Sequence, residues 1–142
     1  MIRVNAFLLA AVSLSAAVSL MALDPAGLPS TTAGQVFAEW LESLNSGIAE
    51  RVQAFETAHR TQNPSIYQSM FLRATTGGFN VVRVEASEPD SITVLLGEKY
   101  AEQLQRVSLA VTADSPAKIV TLVVQLQRPR TWQFRDLAWP RP

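Results

Sequence analysis

The only histidine in the chain, His59, follows Glu56 by three residues, a spacing that on a helix brings a carboxylate within reach of an imidazole. Such a carboxylate orients the ring for general-base work if a nucleophile stands at the second ring nitrogen. No Gly-x-Ser-x-Gly elbow supplies one. Ser115-Pro116-Ala117-Lys118 spells Ser-x-x-Lys, which in serine acyl-transfer enzymes sets a nucleophile and its lysine one helical turn apart. Here Asp114 precedes the serine and Pro116 follows it, a combination that makes a turn rather than a helix. The Ser-Asp-Asn and Lys-Thr-Gly elements that accompany the motif are absent. Neither Ser115 nor His59 is therefore expected to be catalytic, and no other residue takes that role.

Metal chemistry has little to draw on. One histidine and no cysteine leave carboxylates as the ligands. Glu85, Glu88 and Asp90 are close in sequence but lack the glycine and the alternating oxygen ligands of a calcium loop, so they read as a solvated turn. No metal and no cofactor is expected. The glycine pair Gly77-Gly78 raises the question of a phosphate cradle. Such loops follow a strand and open a helix, whereas this pair follows a helical pattern and precedes a strand. It reads as a helix C-cap and reversal that sends Phe79 into the core.

Two helical stripes come first in the chain. Thr32-Ala33-Gly34-Gln35 fits a capping box, and Val36, Phe37, Trp40, Leu41 and Leu44 then share one face. Glu39 and Glu42 fall off that face. Asn45-Ser46-Gly47 closes the helix, and Ser46 or Gly47 can open a second one striped by Ile48, Val52, Phe55 and His59. Asn63-Pro64 opens a third, with Ile66, Tyr67, Met70 and Phe71 as its apolar side. From Phe79 the period becomes two, with Phe79, Val81, Arg83 and Glu85 on one face and Asn80, Val82, Val84 and Ala86 on the other. Strands at residues 91–98, 104–112 and 119–127 follow, joined by short connections that favour antiparallel neighbours. The last is apolar at most positions, as expected of a strand that is central or covered on both sides. Helices followed by strands predict an α+β fold, with the helices packed on one curved antiparallel sheet of about four strands.

Residues 1–22 are read apart from this domain. A basic start at Arg3, an apolar middle and small residues near Ala22 make a secretory signal. Removing them takes away Arg3 alone among charged residues and leaves a net charge of about −1. The expected organisation is a signal at 1–22, a linker at 23–33, one domain at 34–127, and a tail at 128–142 rich in proline, arginine and tryptophan. The expected location is outside the cytoplasm, periplasmic or extracellular, with membrane contact only through an uncleaved signal. A neutral chain with interspersed charges lacks the basic stripe that nucleic acid requires.

Two segments, WLESLNSG (Trp40 to Gly47) and FLRATTGGFNVVRVEASEPDSITVLL (Phe71 to Leu96), carry a resemblance. They resemble the small N-terminal domain attached to some bacterial beta-lactamase-like serine hydrolases and to some tail-specific serine peptidases. The matching elements are Asn45-Ser46-Gly47, Thr76-Gly77-Gly78-Phe79 and Arg83-Val84-Glu85, and the likeness covers most of residues 33–127. It implies a cone of helices over a curved sheet, similar to nuclear transport factor 2-like and cystatin-like folds. Ile48 stands where that pattern usually has Asp, so any role of that acid is lost. Hydrolase chemistry would belong to a catalytic domain that the 142 residues do not contain.

Folds of this kind enclose a cavity between helices and sheet. Its candidate lining here is Trp40, Phe55, Tyr67, Phe71, Arg83 and Glu85. The first functional expectation is a non-catalytic accessory module that binds a small ligand or a serine hydrolase. The second is a small cavity enzyme of the polyketide-cyclase or isomerase type, which requires a buried acid or histidine.

Overall fold

The computed structural model describes residues 27–60 and 66–127. Residues 1–22, read above as a signal, the Asn63-Pro64 helix opening expected from the sequence and residues 128–142 lie outside the described residues. Three helices, α1 (Thr32–Ser46), α2 (Ala49–His59) and α3 (Ile66–Thr76), precede four strands. These are β1 (Phe79–Ser87), β2 (Ser91–Glu98), β3 (Leu104–Val111) and β4 (Ile119–Gln127). The strands form one antiparallel meander in the order β1-β2-β3-β4, with the helices on one face, so the α+β layering expected from the sequence holds. No helix among the described residues is long and apolar enough to cross a membrane.

The apolar stripe of α1 explains its place over the sheet. Val36, Phe37, Trp40, Leu41 and Leu44 are all buried, packed with Ile92, Val94 and Leu96 of β2 and Val107, Leu109 and Val111 of β3. Leu28 joins the same core with no exposed surface, although it falls in the stretch read as a linker. The cap of α1 is Thr31, whose Oγ1 accepts from the Gly34 N–H at 3.1 Å, one residue before the expected capping box. Pro29 lies so close to α1 that a Cβ on Gly34 would sit 1.9 Å from its carbonyl oxygen. Gly47 ends α1 at φ 66°, as a left-handed C-cap glycine should. The second stripe buries Val52, Phe55 and His59, but Ile48 is exposed because it stands before α2 as its N-cap.

The corner after α3 is as the sequence implied. Gly77 and Gly78 have φ of 72° and 89°. Gly77 N–H donates to the Arg73 carbonyl at 3.0 Å, and the chain then reverses into β1 with Phe79 buried. Asn45, from the end of α1, fixes this corner: its Nδ2 donates to the Phe79 carbonyl at 2.9 Å and its Oδ1 accepts from the Phe79 N–H at 2.8 Å. The Asn-Ser-Gly and Thr-Gly-Gly-Phe elements, 34 residues apart at Asn45 and Phe79, thus meet as one structural joint.

Three expectations fail for physical reasons. β1 carries register shifts between Val81 and Arg83 and between Val84 and Ala86. A bulge reverses the face of every side chain beyond it, so Val84 packs on the core while Arg83 and Glu85 turn to the outer face, away from Phe79. β4 is an edge strand, not a central one, and Val120, Val123 and Leu126 are exposed along it. Finally, α3 turns Leu72 and Thr76 inward, leaving Tyr67 and Phe71 exposed. Both pairs have the i, i+4 spacing of a helix face, and periodicity alone does not say which faces the core.

Candidate functional site

α1 and α2 form a hairpin with a groove of about 390 Å³ along it, lined by Glu39, Glu42 and Ser43 from α1 and Arg51, Phe55 and His59 from α2. Glu42 and Arg51 pair at 3.7 Å at the exposed end, a contact worth little in stability. At the other end His59 is buried against the Phe55 ring, with centroids 4.8 Å apart. Its Nδ1 lies 2.8 Å from the Ala117 carbonyl and its Nε2 lies 2.8 Å from Glu39 Oε2. A carbonyl only accepts, so Nδ1 carries a proton. Nε2 then shares a second proton with the Glu39 carboxylate, on one partner or the other.

The sequence-level pairing of His59 with Glu56 is replaced by this one. Glu56 is fully buried and turns instead to Arg60, with Oε1 accepting from Ser69 Oγ of α3 at 3.3 Å. Glu39 was missed because it lies off the α1 stripe and 20 residues away from His59, a separation no helical period connects. Around the histidine the end of α2 is tied to the β3–β4 connection. Lys118 Nζ donates to the Ala58 carbonyl, a natural cap for a helix C-terminus, and Arg60 bridges to Ile119. Lys118 therefore points away from any Ser-x-x-Lys chemistry, and Ser115 stands exposed in the turn before it.

This arrangement clasps three elements rather than activating a nucleophile. A general base needs a ring nitrogen facing a substrate, and both nitrogens of His59 are engaged. Ser43, the hydroxyl of the groove, donates to the Trp40 carbonyl at 2.8 Å.

The six pocket candidates do not line one cavity. Trp40 is core, 5.3 Å from Phe37 and 6.5 Å from Phe79 between ring centroids. Phe55 alone reaches the groove. Tyr67 and Phe71 stack on the outer side of α3, with centroids 6.4 Å apart and 17° between planes. Arg83 and Glu85 sit on the opposite side of the sheet with Arg106, a partner that becomes visible only once β1 and β3 take their places in the sheet.

There Glu85 accepts from Arg106 Nε at 2.5 Å and from Arg83 Nη2 at 2.9 Å, while Arg106 Nη1 donates to Gln127 Oε1 at 2.9 Å. Hydrogen bonds from Arg106 first and Arg83 second hold the Glu85 carboxyl down at about 2. A depressed carboxyl contributes stability that is complete above its ordinary value of 4.5 and is lost as pH falls through about 2. Glu85→Gln is therefore expected to flatten the acid limb of stability between those limits, read as a smaller fall in melting temperature from pH 5 to pH 2 than in the parent.

Among the described residues, no group of three or more His, Cys, Asp or Glu side chains is placed to hold a metal ion. No family model, no curated protein and no solved structure matches the chain.

Proposed function

We propose that the chain is an exported accessory module that acts by binding a partner protein, and that the partner is a serine hydrolase. The observation that carries the reading is the Tyr67–Phe71 pair. Two aromatic rings, 75% and 61% exposed, stand stacked on a helix whose other side is already packed. Exposed tyrosine and phenylalanine are costly in water and are enriched where proteins meet. The choice of partner rests on the resemblance carried by the Asn-Ser-Gly and Thr-Gly-Gly-Phe elements, and the layer of helices on an antiparallel meander is compatible with a nuclear transport factor 2-like or cystatin-like domain. The cavity-enzyme alternative is less well supported, since both ring nitrogens of the buried histidine, His59, are engaged and the buried acid, Glu56, is paired with Arg60.

Calorimetric titration of the chain into beta-lactamase-like serine hydrolases of the same cell tests this. Binding is expected with at least one of them. Tyr67→Ala/Phe71→Ala should weaken it at least about tenfold, the loss of roughly 1.4 kcal/mol or more that an aromatic anchor supplies. Its melting temperature should stay close to that of the parent, because neither ring is in the core. Absence of binding to every such hydrolase, or equal binding by the double variant, would refute the reading.

A further inference from the structure

The two edges of the sheet are built differently. β1 has two bulges and the charged pair Arg83–Glu85, features that discourage a further strand from adding to it. β4 runs Ile119–Gln127 with neither charge nor proline, and its register shift lies at its start, beside Val120. Among the described residues only Arg60, bridged to Ile119, reaches this edge, and from Val120 onward it invites pairing through its backbone groups.

We propose that β4 receives the same strand of a second copy of the chain, antiparallel about a two-fold axis at Val123. The strand is complementary to itself in that register. Val123, 38% exposed, faces its own copy. Leu122 faces the partner's Val124, and Thr121 faces the partner's Gln125, apolar against apolar and polar against polar. Val120 and Leu126, 66% and 50% exposed, stand three residues to either side of Val123 and so face one another across the axis. Self-pairing about a two-fold axis fails most simply when like charges are brought together, and nine residues without a charge remove that obstacle. The strip from Val120 to Leu126 is about 24 Å long, and at roughly 10 Å width the pair buries about 480 Å² in total, less than the roughly 1,200 Å² of a stable specific interface. The dimer is accordingly reversible and concentration-dependent. It does not depend on the hydrolase reading, which uses α3.

The chain has no cysteine, which makes a cross-linking test clean. Residues opposed in an antiparallel pair have Cα atoms about 4.5–5.5 Å apart, within disulfide range. Under mild oxidation Val123→Cys should form a covalent dimer by itself. Thr121→Cys and Gln125→Cys should each stay monomeric alone and cross-link when mixed. In sedimentation, the parent should pass from monomer to dimer as concentration rises, and Val123→Lys should weaken that step at least about tenfold with its circular dichroism unchanged. A parent that remains monomeric at roughly millimolar concentration would overturn the proposal, showing the edge to be occupied by residues 128–142 or left free. So would equal cross-linking by all three cysteine variants, or undiminished dimerisation of a folded Val123→Lys.

Discussion

Phe79→Ala is expected to lower stability by about 3–5 kcal/mol, the usual cost of truncating a buried phenylalanine. The ring is 1% exposed and stacks against Trp40, so alanine leaves a void that α1 and the sheet cannot close without moving. Against a total of roughly 5–15 kcal/mol for a domain of this size, most of the margin would go. The melting temperature should fall by more than about 10 °C. Chemical denaturation would measure the loss directly, and a loss under about 1 kcal/mol would show that the corner does not serve to seat this ring.

Gly78→Val should cost a comparable amount without touching the core. At φ 89° a β-branched residue is a conformational outlier, worth about 1–2 kcal/mol in itself. The added Cβ would also lie 2.4 Å from Asn45 Oδ1, forcing away the side chain that satisfies both the N–H and the carbonyl of Phe79. Leaving a part-buried N–H unpaired costs about 1–3 kcal/mol more. The sum is roughly 2–5 kcal/mol. Asn45→Ala removes the obstacle and the hydrogen bonds together, so Asn45→Ala/Gly78→Val should lose less than the two single variants added. Simple additivity in denaturant melts would mean that Asn45 and Gly78 are not coupled.

Local chemistry made much of this fold legible in advance. The α1 stripe, the glycine C-cap at Gly47, the positive φ at the glycine pair, and the β2 and β4 limits all follow from side-chain period and backbone preference within a few residues. What failed was set by tertiary placement. A bulge in β1 leaves no sure trace in residue types, yet it moved Arg83 and Glu85 from the core face to the outer one. An apolar run such as β4 is equally consistent with a covered strand and with an edge strand, and sheet order alone separates the two. On α3 the aromatic pair looked like the buried side because large apolar rings usually are, whereas Leu72 and Thr76 took that place. The candidate site was less legible still. His59 was visible as a single residue, but its partners, Glu39 and the Ala117 carbonyl, come from elements far away in sequence.

The central claim is that His59 holds helices together and that the chain works by binding rather than by turnover. The most direct measurement is hydrolysis of a chromogenic ester and of a chromogenic beta-lactam by the purified chain, run beside His59→Gln. Rates equal to the buffer blank are expected from both proteins. Turnover by the parent that His59→Gln abolishes, in a variant that still melts cooperatively near the parent's temperature, would contradict the account.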